Sequence, residues 1–460
     1  MPIITKAIFF TKGNRKFTSL IPLVLIFLLI SQNFLFPLRA LPNNDSDYQK
    51  RINKILLIKR SFDSKWFFDT QGEIYANPTT EDITGDDLKE IFIGTTAGRL
   101  FCLNYQGEIQ WLYNISGKIN SSPTVIDLTS DGNKEILFGG NDGFLYCLSE
   151  LGQLIWKAGL GNKAGYSTPN CVDIDMNGEK EIIIGSWENK TFCFNANGTL
   201  RWSFPVAGKV NEKVAIGDLE GDGTFEIITG TVSETLYCIS SQGELKWTFQ
   251  TNNWINTIPL IIDIENDGKK EVVFGSDDGN LYCLNHLGQE CWTYVTSGVI
   301  RSCVQANDLD NDGALEFIFS SNDQLYCLNH EGKKKWLLNL YSYAWTSPVI
   351  VDIINDELKE ILIGTTYSGL LLINWQGKLI GTFEMEAIVH STPVVIDINN
   401  DAQMEVIVCS KYQKAYCLTI GSRELTVFGW LLTIGGTIII GVVVFLIMKS
   451  RSKRKNKNSG

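Results

Sequence analysis

Short apolar stretches, rich in isoleucine, leucine and valine, recur through the middle of the chain, and glycine, asparagine and aspartate break them every few residues. Residues 121–158, SSPTVIDLTSDGNKEILFGGNDGFLYCLSELGQLIWKA, show the pattern in full. Positions 121–128 and 135–140 are apolar, 144–149 alternate, and 153–158 end near Trp156, with Asp-Gly and Leu-Gly turns between them. This predicts four short strands. A helical solenoid needs long runs at a spacing of about 3.6, which this punctuation forbids.

The same stretch recurs at a period of about 45 residues. An acidic loop opens at Asp82, Asp127, Asp173, Asp218, Asp263, Asp308, Asp352 and Asp397. A strand of the Leu-Tyr-Cys-Leu type carries Cys102, Cys147, Cys193, Cys238, Cys283, Cys327 and Cys417, with Leu372 in the remaining slot. Trp111, Trp156, Trp202, Trp247, Trp292 and Trp336 follow, and Gly381 takes the next place. Four strands at this period make a propeller blade. The last copy stops near Ile420 without its tryptophan strand, while Trp66 stands in register ahead of the first. The expected fold is therefore all-β: an eight-bladed β-propeller of four-stranded blades, closed by the N-terminal strand, plus a C-terminal transmembrane helix.

The ends set the expected domain plan. Residues 1–40 hold a basic start and the apolar run SLIPLVLIFLLI, the order of a signal peptide or an uncleaved signal anchor. Residues 41–64 read as a linker and 65–420 as the propeller. The uncharged run 427–448 is long enough to span a membrane, and the basic tail 449–460 predicts a cytoplasmic end. The expected localisation is the cell membrane, single-pass, or two-pass if the signal is retained, with the propeller extracellular.

The formal charge of the chain is −11, and its two basic ends contain no acidic residue, so the propeller is more acidic still. That argues against nucleic acid as a partner. Eleven cysteines in an exported chain usually suggest disulfides. Seven of them share one strand position and are expected as small core residues.

Much of the acidity lies in the repeated loops. Loop positions 1, 3, 5 and 9 supply Asp173, Asp175, Asn177 and Glu181 in one blade and Asp218, Glu220, Asp222 and Glu226 in the next. Asp263, Glu265, Asp267 and Glu271 follow, and then Asp308, Asp310, Asp312 and Glu316. Such oxygen sets suit a hard cation. Ile354 at position 3 cannot ligate, and Asp87, Glu357 and Ala402 replace the turn glycine, which weakens those copies. A metal-free turn, with the aspartate accepting backbone N–H groups, is the competing reading.

The loop in DLDNDGALE resembles the calcium loops of FG-GAP repeats, and LYCLSELGQLIW is similar to the pyrroloquinoline-quinone (PQQ) type repeat with its docking tryptophan. The resemblance covers residues 65–420 and implies a membrane-anchored propeller with calcium in some blades. Quinoprotein dehydrogenases of this kind typically use an adjacent cysteine pair, which this sequence lacks, so PQQ is not expected.

A varied position within a strict repeat marks a candidate ligand site. Seven residues before each loop aspartate stand Tyr75, Asn120, Tyr166, Asn211, Asn256, Arg301, Trp345 and His390, at the entry to the innermost strands. This ring of aromatic, amide and cationic groups suits a protein or glycan ligand. The expected function is a surface-anchored recognition, adhesion or assembly module without catalysis. The rivals are a membrane-tethered PQQ-dependent oxidoreductase and a metal-free envelope assembly scaffold.

Overall fold

The computed structural model describes residues 62–420, apart from 162, 164, 355, 356, 386 and 387. The expected signal, membrane span and basic tail lie outside these residues. Among the described residues no helix is long and apolar enough to cross a membrane.

Eight four-stranded antiparallel sheets make up the compact unit. Seven are built from consecutive strands, as in blade 1: Thr79–Glu81, Glu90–Gly94, Arg99–Leu103 and Ile109–Asn114, from innermost to outermost. Blade 8 joins the two ends of the propeller, with Phe62–Asp69 as the outer strand beside Lys414–Ile420. The pairing runs from Phe62 opposite Ile420 to Asp69 opposite Lys414. This strand starts inside the stretch that the sequence reads as linker.

The apolar runs are continuous because both faces of every sheet are buried. In the second strand of blade 1, Ile91 and Ile93 pack with Ile407 and Cys417 of blade 8, while Phe92 turns the other way onto Ile136 and Phe138 of blade 2. Eight such hydrophobic clusters are present, and each straddles one junction between neighbouring blades. Each buried Ile, Leu or Phe contributes about 1.5–3 kcal/mol. The cohesion of the ring thus lies between blades.

The docking tryptophans add a second contact across seven of the eight junctions. Trp111 Nε1 donates to the Glu150 carbonyl of blade 2 at 3.0 Å, and Trp66 Nε1 to the Tyr105 carbonyl of blade 1 at 2.9 Å. Each indole lies flat on a turn glycine. At Gly152, where φ is +73°, an added Cβ would sit 2.6 Å from the Trp111 ring. The tryptophan series skips Gly381 for a reason visible in the closure. Blade 8 takes its outer strand from the N-terminus, so it has no turn between third and fourth strands on which a tryptophan of blade 7 could rest. Phe62, Phe383 and Tyr416 fill that seam.

The repeated cysteines sit directly opposite the tryptophans, Cys102 beside Trp111 and Cys417 beside Trp66, and Leu372 faces Gly381. All seven are fully buried and none is in a disulfide. Replacing Trp111 by alanine should cost about 2–3 kcal/mol in urea-induced unfolding, less than a fully buried aromatic because one edge of the indole stays exposed. Gly152→Ala should approach that loss through the same junction.

Candidate functional site

The acidic loops and the varied ring occupy opposite faces. Each innermost strand runs from the ring to its acidic loop, so the third strand also ends on the loop side. Phe62 and Ile420 both lie there, and the chain therefore enters and leaves on the acidic face.

On that face the first aspartate of each loop caps the turn. In blade 6, Asp308 accepts the backbone N–H groups of Asp312 and Gly313 at 3.1 and 2.8 Å, and Asp173 and Asp263 hold their turns likewise. In blade 4, Asp218 accepts from Gly221, Asp222 and Gly223. At position 5, Asn177, Asp222, Asp267 and Asp312 each accept the N–H two residues on. The missing glycines do not undo this turn. Asp87, Glu357 and Ala402 adopt φ of 66°, 70° and 64° and still donate to their loop aspartates.

The closing glutamate does a different task. In all eight blades its Oε2 accepts the N–H of the residue after the loop aspartate, as Glu316 does from Leu309 at 2.9 Å. Ligand atoms of Asp173, Asp175 and Glu181, and of Asp308, Asp310 and Glu316, come within 4.8 Å of one another. Among the described residues only these two blades gather three acidic groups so closely. A cation of the chain itself already lies among them. Arg201 donates to Asp175 and Glu181, and Lys335 Nζ lies 3.0 Å from Asp310 and 2.8 Å from Glu316. In blade 4, Lys246 bridges Glu220 and Glu226 in the same way. Burial raises the pKa of Glu90, Glu135, Glu181 and Glu271, with the backbone N–H bond pulling the other way.

On the opposite face, seven of the eight varied positions join with two other side chains in one connected circuit. Tyr166 packs edge-on to Tyr75, with ring centroids 6.5 Å apart, Tyr75 lies 5.5 Å from His390, and His390 lies 5.7 Å from Trp345. Arg301 stacks over Trp345 at 5.2 Å and grips Asp277 through Nε and Nη2. Asn256 donates to Asp277, Asn211 donates to Asn256, and Trp187 donates to Asn211 at 2.8 Å. Trp187 then packs 5.8 Å from Tyr166 and closes the loop. Asn120 is buried beneath this rim, and its Oδ1 has no hydrogen-bond partner. Asp277 and Trp187 escape the sequence reading because they come from turns between second and third strands. Their signal is again variation within a repeat, since Asp277 stands 21 residues after Asn256 and Trp187 stands at the same distance from Tyr166.

Cations gather on the ring. Lys209 Nζ lies 4.4 Å from the centre of Trp187, Lys163 Nζ lies 5.7 Å from it, and Lys411 Nζ is 5.6 Å from Tyr75. Burial, with Lys411 second, lowers the pKa of His390, against a smaller opposing pull from Glu73. Trp254, Tyr341, Tyr343, Tyr367 and Tyr412 extend an exposed aromatic surface around the rim. A cleft of about 70 Å³ opens between Arg301, Tyr343 and Trp345.

A family model described as the lambda-carrageenase beta-propeller domain matches residues 53–118, 104–168, 181–262 and 260–304, together more than half of the chain. The chain belongs to the lambda-carrageenase beta-propeller domain family. As a propeller of this family it carries six ring residues, Tyr75 to Arg301, within the matched stretches, while Trp345 and His390 lie beyond them. No curated protein sequence matches the chain. Among solved structures it is similar to BamB from Moraxella catarrhalis, at 16% identity and a TM-score of 0.59, over 78% of this chain and 99% of that one. It is also similar to the V. cholerae biofilm matrix protein Bap1, at 13% identity and a TM-score of 0.64, over 79% and 92%. The quinohemoprotein alcohol dehydrogenase of Comamonas testosteroni follows at 11% identity and a TM-score of 0.59, over 78% and 76%. At such identities the likeness is one of fold.

The raised pKa of Glu135 gives a signed expectation. A carboxyl raised in the folded state stabilises the fold below its unfolded value of about 4.3, and that contribution is lost as pH rises through the folded value. Glu135→Gln keeps an acceptor for the Leu128 N–H. Its melting temperature should exceed the parent's at pH 7, and the gain should vanish near pH 4.

Proposed function

We propose that this propeller is a non-catalytic recognition module, held at the cell surface, whose ring face binds an acidic polysaccharide. The observation that carries the reading is the closed circuit of aromatic, amide and cationic side chains on the face away from both chain ends. Flat rings suit the faces of sugars, and the ring-held Lys163, Lys209 and Lys411 suit sulfate or carboxylate groups. Their concentration on one face of a chain with net charge −11 favours an anionic ligand there. The family description, which names an enzyme of lambda-carrageenan, a sulfated galactan, supports the same ligand class.

Binding without hydrolysis is proposed because glycoside cleavage calls for a free pair of carboxyl groups. Asp277, the carboxylate built into the circuit, has its oxygens taken by Arg301 and Asn256. The apolar run 427–448 and its basic flank support the surface anchoring, and both described ends of the propeller leave on the side facing away from the ring.

Affinity chromatography of the purified chain on immobilised lambda-carrageenan and on neutral agarose tests the reading. Retention on the sulfated matrix alone is expected, falling with salt as exposed charges are screened. Trp345→Ala should weaken binding about tenfold, equal to about 1.4 kcal/mol. Equal behaviour on the two matrices, or sulfated oligosaccharides shortened by the purified protein, would sink it.

A further inference from the structure

The outer strand of every blade carries a β-bulge at the same place, one residue before the docking position. In blade 1, Cys102 pairs with Trp111 but Leu103 pairs with Ile109, which leaves Gln110 as the extra residue. The extra residues of the other blades are Ile155, Arg201, Lys246, Cys291, Lys335, Ile380 and Lys65. A bulge re-aims its side chain, and in five blades the aim is at the closing glutamate of the acidic loop. Gln110 reaches Glu90 at 3.1 Å, and Arg201, Lys246, Lys335 and Lys65 reach Glu181, Glu226, Glu316 and Glu405.

The bulged residue also tracks loop position 3 within the chain. Where that position is Asp175, Glu220 or Asp310, the bulge supplies Arg201, Lys246 or Lys335, and the cation bridges both carboxylates. In blade 8, where position 3 is Asn399, Lys65 bridges Asp401 and Glu405 instead. Where position 3 is Thr84, Thr129 or Ile354, the bulge holds uncharged Gln110, Ile155 or Ile380. Blade 5 breaks the correspondence, with Glu265 in the loop and Cys291 at the bulge.

We propose that the bulged Arg201, Lys246, Lys335 and Lys65 are resident counter-cations that take the place of a divalent ion, so that these four loops are complete without calcium. The donor set does not suit a metal as it stands. Calcium asks for six to eight oxygens. In blade 6 both oxygens of Asp308 already accept backbone N–H groups, and those of Glu316 hold Leu309 N–H and Lys335. Asp310 Oδ1 is the one carboxylate oxygen of that trio without a partner. Blade 6 is therefore where calcium would compete best, and so the place to test its exclusion.

The test compares melting temperatures of the full chain in excess calcium and in chelator, for the parent, Lys335→Met and Cys291→Lys. Lys335→Met should melt lower in chelator and regain about 2 °C or more in calcium, a larger calcium shift than the parent shows. Cys291→Lys, which adds a cation rather than removing one, should melt higher than the parent in chelator, because it supplies Glu265 and Glu271 with the kind of partner that Arg201, Lys246 and Lys335 give their own loops. An equal calcium shift in the parent and Lys335→Met, or a parental shift abolished by Asp310→Asn, would overturn the proposal. So would a Cys291→Lys variant that folds and melts lower than the parent.

Discussion

Everything in this molecule follows from sheets that are apolar on both faces. A blade buried on one side only would leave half of its Ile, Leu and Phe side chains in water, so no blade is stable without two neighbours, and the row of blades must close. The strand Phe62–Asp69 is what closes it, since it supplies the edge that Lys414–Ile420 would otherwise expose. The absence of a tryptophan at Gly381 is a consequence of the same closure. A docking indole needs the turn of the next blade, and at the seam between the two chain ends that turn does not exist.

The bulge beside the docking position links packing to electrostatics. One extra residue in the outer strand keeps the tryptophan flat against the neighbouring blade and turns the preceding side chain toward a buried glutamate. A carboxylate buried alone would be costly, and burial does raise several of these pKa values. A backbone N–H on one oxygen and a cation or amide on the other offset that cost in five blades. The acidic face is thus built mostly of groups that answer one another inside each blade.

The opposite face obeys a different rule. Its residues depart from the repeat and reach across blades, so that Arg301, Asp277, Asn256 and Asn211 hold one another in place and Trp187 meets Tyr166. A pre-organised rim of this kind would lose little freedom on binding. The scaffold is similar in fold to proteins as different as BamB and a quinohemoprotein dehydrogenase, so what is particular to this chain lies in these departures from the repeat.

The sequence by itself determined the architecture. Eight repeats, four strands in each, the N-terminal closure and the burial of the cysteine positions were all legible, because each depends on local spacing that every blade repeats. The ring was legible as a set of varied positions, from Tyr75 to His390. What the sequence left open was contact between residues distant along the chain. Whether Asp175 and Glu181 meet a metal or Arg201 turns on a bulge that brings residue 201 back onto its own loop, and a register shift of one residue has no signature in composition. The circuit through Trp187 and Asp277 likewise exists only because neighbouring blades set turns and strand entries side by side. Spacing along one chain fixes which residues share a blade, and only the closed ring decides which of them touch.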